Sequence, residues 1–255
     1  MAYREAVRKE LGFAVVSQNS LDAVGSRDFV SETLYALAHL GVNLSRIAED
    51  LMIFQIEELG WVDLPEELCT GSSMMPQKKN ADFLELARGA SSILAGNCTA
   101  LLVLQKGLPS SYNRDLQWDK EPLFRSVRLV EEMLPIFSVL FKGMKLRPER
   151  AAKSIANDQL AATDLAEALV SAGVPFRDAH DRVGKLVREA EADGTPLRSV
   201  PNAKALEILG PSVKNWKAIL DPALSVNRKR TSGSTRPSEV DRQIARWEKK
   251  IRAFF

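Results

Sequence analysis

Gly71-Ser72-Ser73-Met74-Met75-Pro76-Gln77-Lys78-Lys79-Asn80 leads straight into Ala81-Asp82-Phe83-Leu84-Glu85, the opening of an apolar-periodic run that reaches about Lys106. The run places Phe83, Ala87, Ala90, Leu94, Asn97, Leu101 and Leu104 alternately four and three apart. That is the seam of a long helix, not the alternation of a strand. Asn97 is its one polar position, placed either to fix register against a neighbour or to meet a backbone group or buried water. The ten residues ahead of the run collect two hydroxyls, a turn-forming proline, two cations and two amides. They feed a helix N-terminus, where free N–H groups and the helix dipole favour an anion. A solvated surface loop is the plain alternative.

The same seam logic extends outward. Towards the N-terminus, Tyr3 to Gly12 predicts a short helix, and Gln18 to Arg27 a polar loop. A long helix starts at Arg27 or Asp28, capped by Ser26, and runs to about Leu59. Its seam is Leu37, Leu40, Leu44, Ile47, Leu51 and Phe54. Gly41 interrupts it at a cost of about 1 kcal/mol against alanine, so tertiary contact is expected to hold that turn. Leu51 to Leu59 is apolar on more than one side and is expected to lie deep. Towards the C-terminus, a second polar loop (Ser110 to Asp119) precedes a third long helix from about Lys120 to Met144, with seam Leu123, Val127, Val130, Leu134, Phe137, Phe141 and Met144. Pro135 inside it is expected to kink it or leave one bond unmade. Three such helices predict an all-α long-helix bundle that oligomerises through its seams. From Arg147 the helices shorten: about Asp158 to Ser171, Pro175 to Asp193, Asn202 to Leu209 and Ser212 to Ile219, then an irregular Ser225 to Ser238 and a last helix from Val240 to Phe255. The organisation expected is 1–146 for the bundle portion and 147–255 for a small helical C-terminal domain.

Composition narrows the class. The chain has 255 residues, 45% apolar and 27% charged, with net charge +2. No nucleic-acid or membrane surface is implied, and no apolar run approaches the ~20 residues of a span. The charged start, Met1-Ala2-Tyr3-Arg4-Glu5, does not read as a signal peptide. Two cysteines, Cys69 and Cys98, make no disulfide framework, and a cytoplasmic location is expected. The only histidines are His39 and His180.

The string from Gly71 to Asn80 resembles the signature of the fumarase/aspartase/argininosuccinate lyase superfamily, Gly-Ser-Ser-x-Met-Pro-x-Lys-x-Asn, at every fixed position. The resemblance implies an elimination that releases fumarate. It makes Ser72 the base, with Ser73 beside it on the substrate. Lys78 and Asn80 would hold the aci-carboxylate, whose extra charge an ammonium and an amide stabilise in the transition state. Glu85, by itself a favourable first-turn acid, would orient a histidine from another segment of the tetramer. Lys79 reads as a solvated or supporting cation.

Two further stretches narrow the resemblance to argininosuccinate lyases. Tyr112-Asn113-Arg114-Asp115-Leu116-Gln117-Trp118-Asp119-Lys120-Glu121 closely resembles the family stretch Tyr-Asn-Lys-Asp-Leu-Gln-x-Asp-Lys-Glu, with Arg114 for lysine, and the resemblance gives Tyr112, Gln117 and Lys120 as substrate contacts. An exposed loop with Asp119 capping the helix is the alternative. Asn19-Ser20-Leu21-Asp22-Ala23-Val24-Gly25-Ser26-Arg27-Asp28 resembles Asn-Ser-Leu-Asp-Ala-Val-Ser-x-Arg-Asp, with Gly25 for serine and Arg27 as the anion-binding candidate. Ala81 replaces the family's proline and Ala90 a frequent lysine. His180 reads as structural, and Arg228-Lys229-Arg230 as a solvated face. The family's N-terminal Ser-Arg, Asn-Asp and Thr-His-x-Gln stretches have no match. The implied function is cleavage of argininosuccinate to arginine and fumarate in arginine biosynthesis, without a cofactor. This chain would supply part of the site, in a homotetramer or with a separate N-terminal half. A non-catalytic helical fragment and another fumarate-releasing lyase are the alternatives.

Overall fold

The structure, a computed structural model, describes residues 2–71, 74, 75, 79–155 and 158–254. Its elements in chain order are α1 (Ala2–Glu10), α2 (Ser20–Gly25), α3 (Asp28–Gln55), β1 (Val62–Asp63), β2 (Thr70–Gly71), β3 (Lys79–Asn80), α4 (Asp82–Gln105), α5 (Lys120–Gly143), β4 (Lys145–Leu146), α6 (Pro148–Ser154), α7 (Ala162–Ser171), α8 (Phe176–Ala192), α9 (Asn202–Leu209), α10 (Trp216–Ile219), α11 (Pro222–Arg228) and α12 (Pro237–Arg252). The fold is all-α, as the seams predict. Strand is confined to two antiparallel two-residue ribbons, Val62–Asp63 with Lys145–Leu146 and Thr70–Gly71 with Lys79–Asn80. Contacts divide the chain into two compact units, Met1–Pro148 and Glu149–Phe255.

In the first unit α3, α4 and α5 run up, down and up. Ser31 Oγ accepts from Gln105 Nε2 at 2.6 Å, Gly41 lies against Leu94, and Glu49 pairs with Arg88 at 2.5 Å, so numbers rise along α3 as they fall along α4. Asn97 Nδ2 donates to Ser126 Oγ at 2.9 Å, and Phe83 meets Phe137 edge-on at 5.0 Å, so α5 is antiparallel to α4 as well. The polar seam residue thus has its neighbour: it pins the α4–α5 register on a fully buried serine. A side chain at Gly41 would bring its Cβ to 2.6 Å from Leu94 Cδ1, which is the close approach that holds the glycine turn.

The seams need correction in two places. On α5 the buried line is Pro122, Ser126, Val130, Met133, Phe137 and Leu140, offset by one residue over much of its length from the predicted one. Leu134 and Phe141 are 42% and 48% exposed. Val130 and Phe137 belong to both lines, so the Asn97–Ser126 bond marks the phase, which the sequence period alone cannot choose. The helix continues through Pro135. On α3 the buried line is Leu34, Ala38, Gly41, Leu44, Ala48 and Leu51, with the predicted Leu37, Leu40 and Ile47 only half-buried beside it; the helix stops at Gln55, and Ile53 and Ile56 are exposed rather than deep. Trp61 N–H donates to Phe54 O at 2.7 Å and folds the chain back there.

The second unit builds its core from α7 to α10. Leu165, Leu169, Leu186 and Leu209 surround the fully buried Trp216, whose indole N–H donates to Asn202 Oδ1 at 2.9 Å. Asp158, also buried, accepts from Leu197 N–H at 3.0 Å and Arg198 N–H at 2.7 Å. The helix expected over Ser212 to Ile219 is broken into a 3-10 turn, Pro211–Val213, and α10. α11 occupies part of the stretch expected to be irregular, because Asp221 caps it through Leu224 N–H at 3.0 Å with Pro222 in the first turn.

Candidate active site

The first polar loop is more ordered than its composition suggests. Asn19 Oδ1 accepts from Leu21 and Asp22 N–H at 3.0 and 3.3 Å and starts α2 inside what reads as a loop. The missed signal is an asparagine cap followed by an acid three residues on. Beyond α2, Ser26 Oγ accepts from Asp28 N–H at 3.4 Å at the entry to α3. The second polar loop ends in a 3-10 turn, Arg114–Asp119, that runs into α5.

These two loops meet at one end of the bundle. Arg27 Nε donates to Asp119 Oδ2 at 2.5 Å, and Arg27 Nη1 donates to Ser26 O at 2.8 Å. Lys120 Nζ donates to the other Asp119 oxygen at 3.0 Å. Asp119 is 6% exposed and makes no capping bond to the α5 N-terminus, so the capping reading is replaced by a buried, doubly paired carboxylate. Arg27, the anion-binding candidate, has its Nε committed to that carboxylate. A Cβ on Gly25 would stand 2.5 Å from Ser111 O, and Ser111 adopts φ +77°. The loops touch there backbone to backbone, with no room for the serine that the family pattern carries. Between them lies a cavity of about 360 Å³ lined by Asn19, Asp22, Ser26, Asp28, Ser111 and Asn113 among others. Tyr112 is half exposed, and Gln117 is exposed in a neighbouring hollow beside Arg114 and Trp118.

The described residues of the signature stretch are at the other end. The β2–β3 ribbon closes its base, pairing Thr70 with Asn80 and Gly71 with Lys79. Ser72, Ser73 and Lys78 lie outside the described residues. Thr70 Oγ1 donates to the Asp82 carboxylate, which ties the ribbon to the first turn of α4. Lys79 Nζ pairs with Glu66 Oε1 at 2.6 Å; that bond and the Lys79 charge hold the Glu66 carboxyl below its usual range, and Glu66 raises the Lys79 ammonium. Lys79 is thus an exposed cation paired with Glu66. Burial pushes the Cys69 thiol up. Glu85 is exposed on the first turn of α4. Beside the ribbon is an open cleft of about 1220 Å³, lined by Asp63, Glu66, Lys79, Lys145 and Arg147 among others.

Distance separates the two sets. α4 has 24 residues, so the ends are roughly 36 Å apart at ~1.5 Å per residue. The structure brings Arg27 to Lys120 and the second loop, and keeps Asn80 and Glu85 a helix length away. Both histidines are exposed: His39 Nδ1 contacts Asn43 at 3.2 Å on α3, and His180 lies on α8 near Asp181 at 3.8 Å. Among the described residues no group of three metal-ligating side chains forms.

Comparison with known proteins agrees with this architecture. The family described as Lyase matches residues 1–96, and that described as Argininosuccinate lyase C-terminal matches residues 159–227. The argininosuccinate lyase of Chloroflexus aurantiacus is 47% identical over 236 residues, 92% of this chain and 51% of that protein. That of Mycolicibacterium gilvum is 44% identical over 240 residues, 94% of this chain and 51% of that protein. Among solved structures, EDDS lyase in complex with formate superposes with a TM-score of 0.80 at 25% identity, over 96% of this chain and 51% of that one. The 3-carboxy-cis,cis-muconate lactonizing enzyme of Pseudomonas putida shares the fold alone, with a TM-score of 0.64 at 19% identity over 85% of this chain and 51% of that one. The chain spans about half the length of the curated relatives it matches. With that identity over nearly its whole length, and both family matches in chain order, the chain is similar to one half of an argininosuccinate lyase.

Proposed function

We propose that the chain supplies the signature-loop and substrate-loop parts of an argininosuccinate lyase, cleaving argininosuccinate to L-arginine and fumarate in arginine biosynthesis. Ser72 takes the proton from the carbon beta to the departing nitrogen. The electron pair passes through the aci-carboxylate, held by Lys78 and Asn80, and then expels the guanidino nitrogen of arginine as the carbon–nitrogen bond breaks. Ser73, Tyr112, Gln117 and Lys120 bind a substrate rich in carboxylates, Arg27 braces the loops through Asp119, and Glu85 orients the histidine that serves the leaving side. That histidine comes from a segment this sequence does not contain, so the complete site includes an N-terminal half. The bundle portion, 1–146, carries every proposed site residue, and the helical domain, 147–255, carries none.

One observation carries the reading. The described ends of the signature stretch and the substrate loops, each resembling a family stretch, sit at opposite ends of α4, about 36 Å apart at ~1.5 Å per residue. A site that uses both sets draws them from different copies, which fits a homotetramer in the cytoplasm. The exposed Leu86, Leu102, Val103, Leu134 and Phe141 on α4 and α5 are available to such an assembly.

Fumarate release from argininosuccinate, followed by ultraviolet absorbance, tests this. The chain is assayed alone and mixed with the N-terminal half of a related lyase. Activity in the mixture, lost by about 10²–10⁴-fold in Ser72→Ala, is expected. A folded, associated mixture that releases no fumarate defeats the reading in favour of a non-catalytic fragment.

A further inference from the structure

The geometry points to Asp119 as a positioning residue that holds the substrate-binding ammonium of Lys120 by pairing it, through one carboxylate, with Arg27 of the other loop. This rests on the lyase reading for its consequence, and on contacts alone for its existence. Asp119 is the only member of the second polar loop, among the described residues, whose charged side chain is buried. Each of its oxygens takes a different cation: Oδ2 takes Arg27 Nε at 2.5 Å and Oδ1 takes Lys120 Nζ at 3.0 Å.

The two partners differ in what they do. The Arg27 side chain is 15% exposed and is tied further to the carbonyls of Ser26 and Val24, so it is a fixed strut. The Lys120 side chain is 61% exposed, with its amine tethered to a buried anchor and its remaining donors open to solvent. A lysine is a flexible point charge whose rotamer entropy is spent when it binds an anion. An anchor that fixes its nitrogen before binding spends that entropy in advance. The anchor is itself fixed, because Gly25 and Ser111 hold the two loops backbone to backbone. The arrangement gives Lys120 one place to stand relative to Tyr112 and Gln117, which share its loop.

Asp119→Asn removes the anionic anchor, with Lys120→Met and the double variant completing a cycle. In the fumarate assay of the completed enzyme, Asp119→Asn is expected to raise KM on the order of 10-fold with little change in kcat, and to add nothing further in the Lys120→Met background. A residue of merely structural importance would instead lower the active fraction, leave KM unchanged and add its effect in both backgrounds. An activity-independent arm uses the chain with ¹³C-dimethylated lysines: the Lys120 methyl resonance is expected apart from the bulk lysines and is expected to join them in Asp119→Asn. Should the unpaired Arg27 charge unfold that variant, Arg27→Gln with Asp119→Asn removes both charges and the same resonance is read. If the wild-type mixture releases no fumarate, the lyase reading fails and the resonance alone decides. A Lys120 signal unmoved in a folded variant, or an additive cycle, overturns the proposal.

Discussion

Gly41→Ala is expected to destabilise the protein, and to do the opposite once Leu94 is shortened. Alanine in place of a mid-helix glycine stabilises a helix by about 1 kcal/mol. At Gly41 the new Cβ would stand 2.6 Å from Leu94 Cδ1 and 3.4 Å from Ser91 Cα. Leu94 is fully buried, so its side chain has no solvent to retreat into, and overpacking of this kind costs about 1–3 kcal/mol. The steric term wins, leaving a net loss of about 1 kcal/mol. Leu94→Ala alone costs about 2–5 kcal/mol through the cavity it leaves. In that background the clash is gone and Gly41→Ala is left with its helix-propensity gain, a stabilisation of about 1 kcal/mol. Urea unfolding followed by circular dichroism reads both signs, and melting shifts of about 2–4 °C per kcal/mol provide a second measure. Gly41→Ala that stabilises the wild-type protein, or that has the same sign in both backgrounds, would refute the α3–α4 contact as described.

Gly25→Ser, which restores the residue of the family pattern, is expected to destabilise by about 1–3 kcal/mol, because the atom it meets is the Ser111 backbone carbonyl; a neutral effect in thermal melts would show that the loops are not in contact there. Burial pushes the Asp164 carboxyl up, but hydrogen bonds from Lys229 and Ser225 outweigh it and hold the carboxyl below its ordinary range, while the Asp164 bond raises the Lys229 ammonium. The carboxylate therefore contributes stability above its ordinary range, lost as pH falls through its lowered folded value. The ammonium contributes below its ordinary range, lost as pH rises through its raised one. Lys229→Met should cost about 1–3 kcal/mol at pH 7, with the low end favoured by the partial exposure of Lys229, and less in acid; an equal loss at both pH values would contradict this. Leu134→Glu with Phe141→Lys places charges on the exposed α5 stripe and is expected to reduce self-association in light scattering, and an unchanged mass would remove that stripe from the assembly.

Much of this was legible in the chain, for reasons that differ by element. The three long helices follow from apolar residues repeating three and four apart, a signal reinforced by more than twenty residues each. Their phase was less legible: on α5 the predicted and the buried lines share Val130 and Phe137, and Ser126 meeting Asn97 decides between them. Local chemistry explains the short helices that were missed, since α2 and α11 depend on single capping side chains, Asn19 and Asp221, rather than on periodicity. At the site, the resemblance to the family's stretches brings out Tyr112, Gln117, Lys120 and Asn80 as candidates, while the pairing of Asp119 with Arg27 is invisible in sequence. Its partner Arg27 is ninety-two positions away, and an aspartate before a helix reads as a cap until the contact is seen.

Complementation between two defective variants tests the central claim most directly. Ser72→Ala alters one end of the bundle and Lys120→Met the other, and each is prepared with the N-terminal half so that each alone is impaired. Dissociated, mixed and reassembled, they are expected to recover part of the fumarate release that neither shows, because some sites then combine an intact signature loop from one copy with an intact substrate loop from another. A mixture that reassembles fully and stays as impaired as its components would contradict a site built from the opposite ends of different copies.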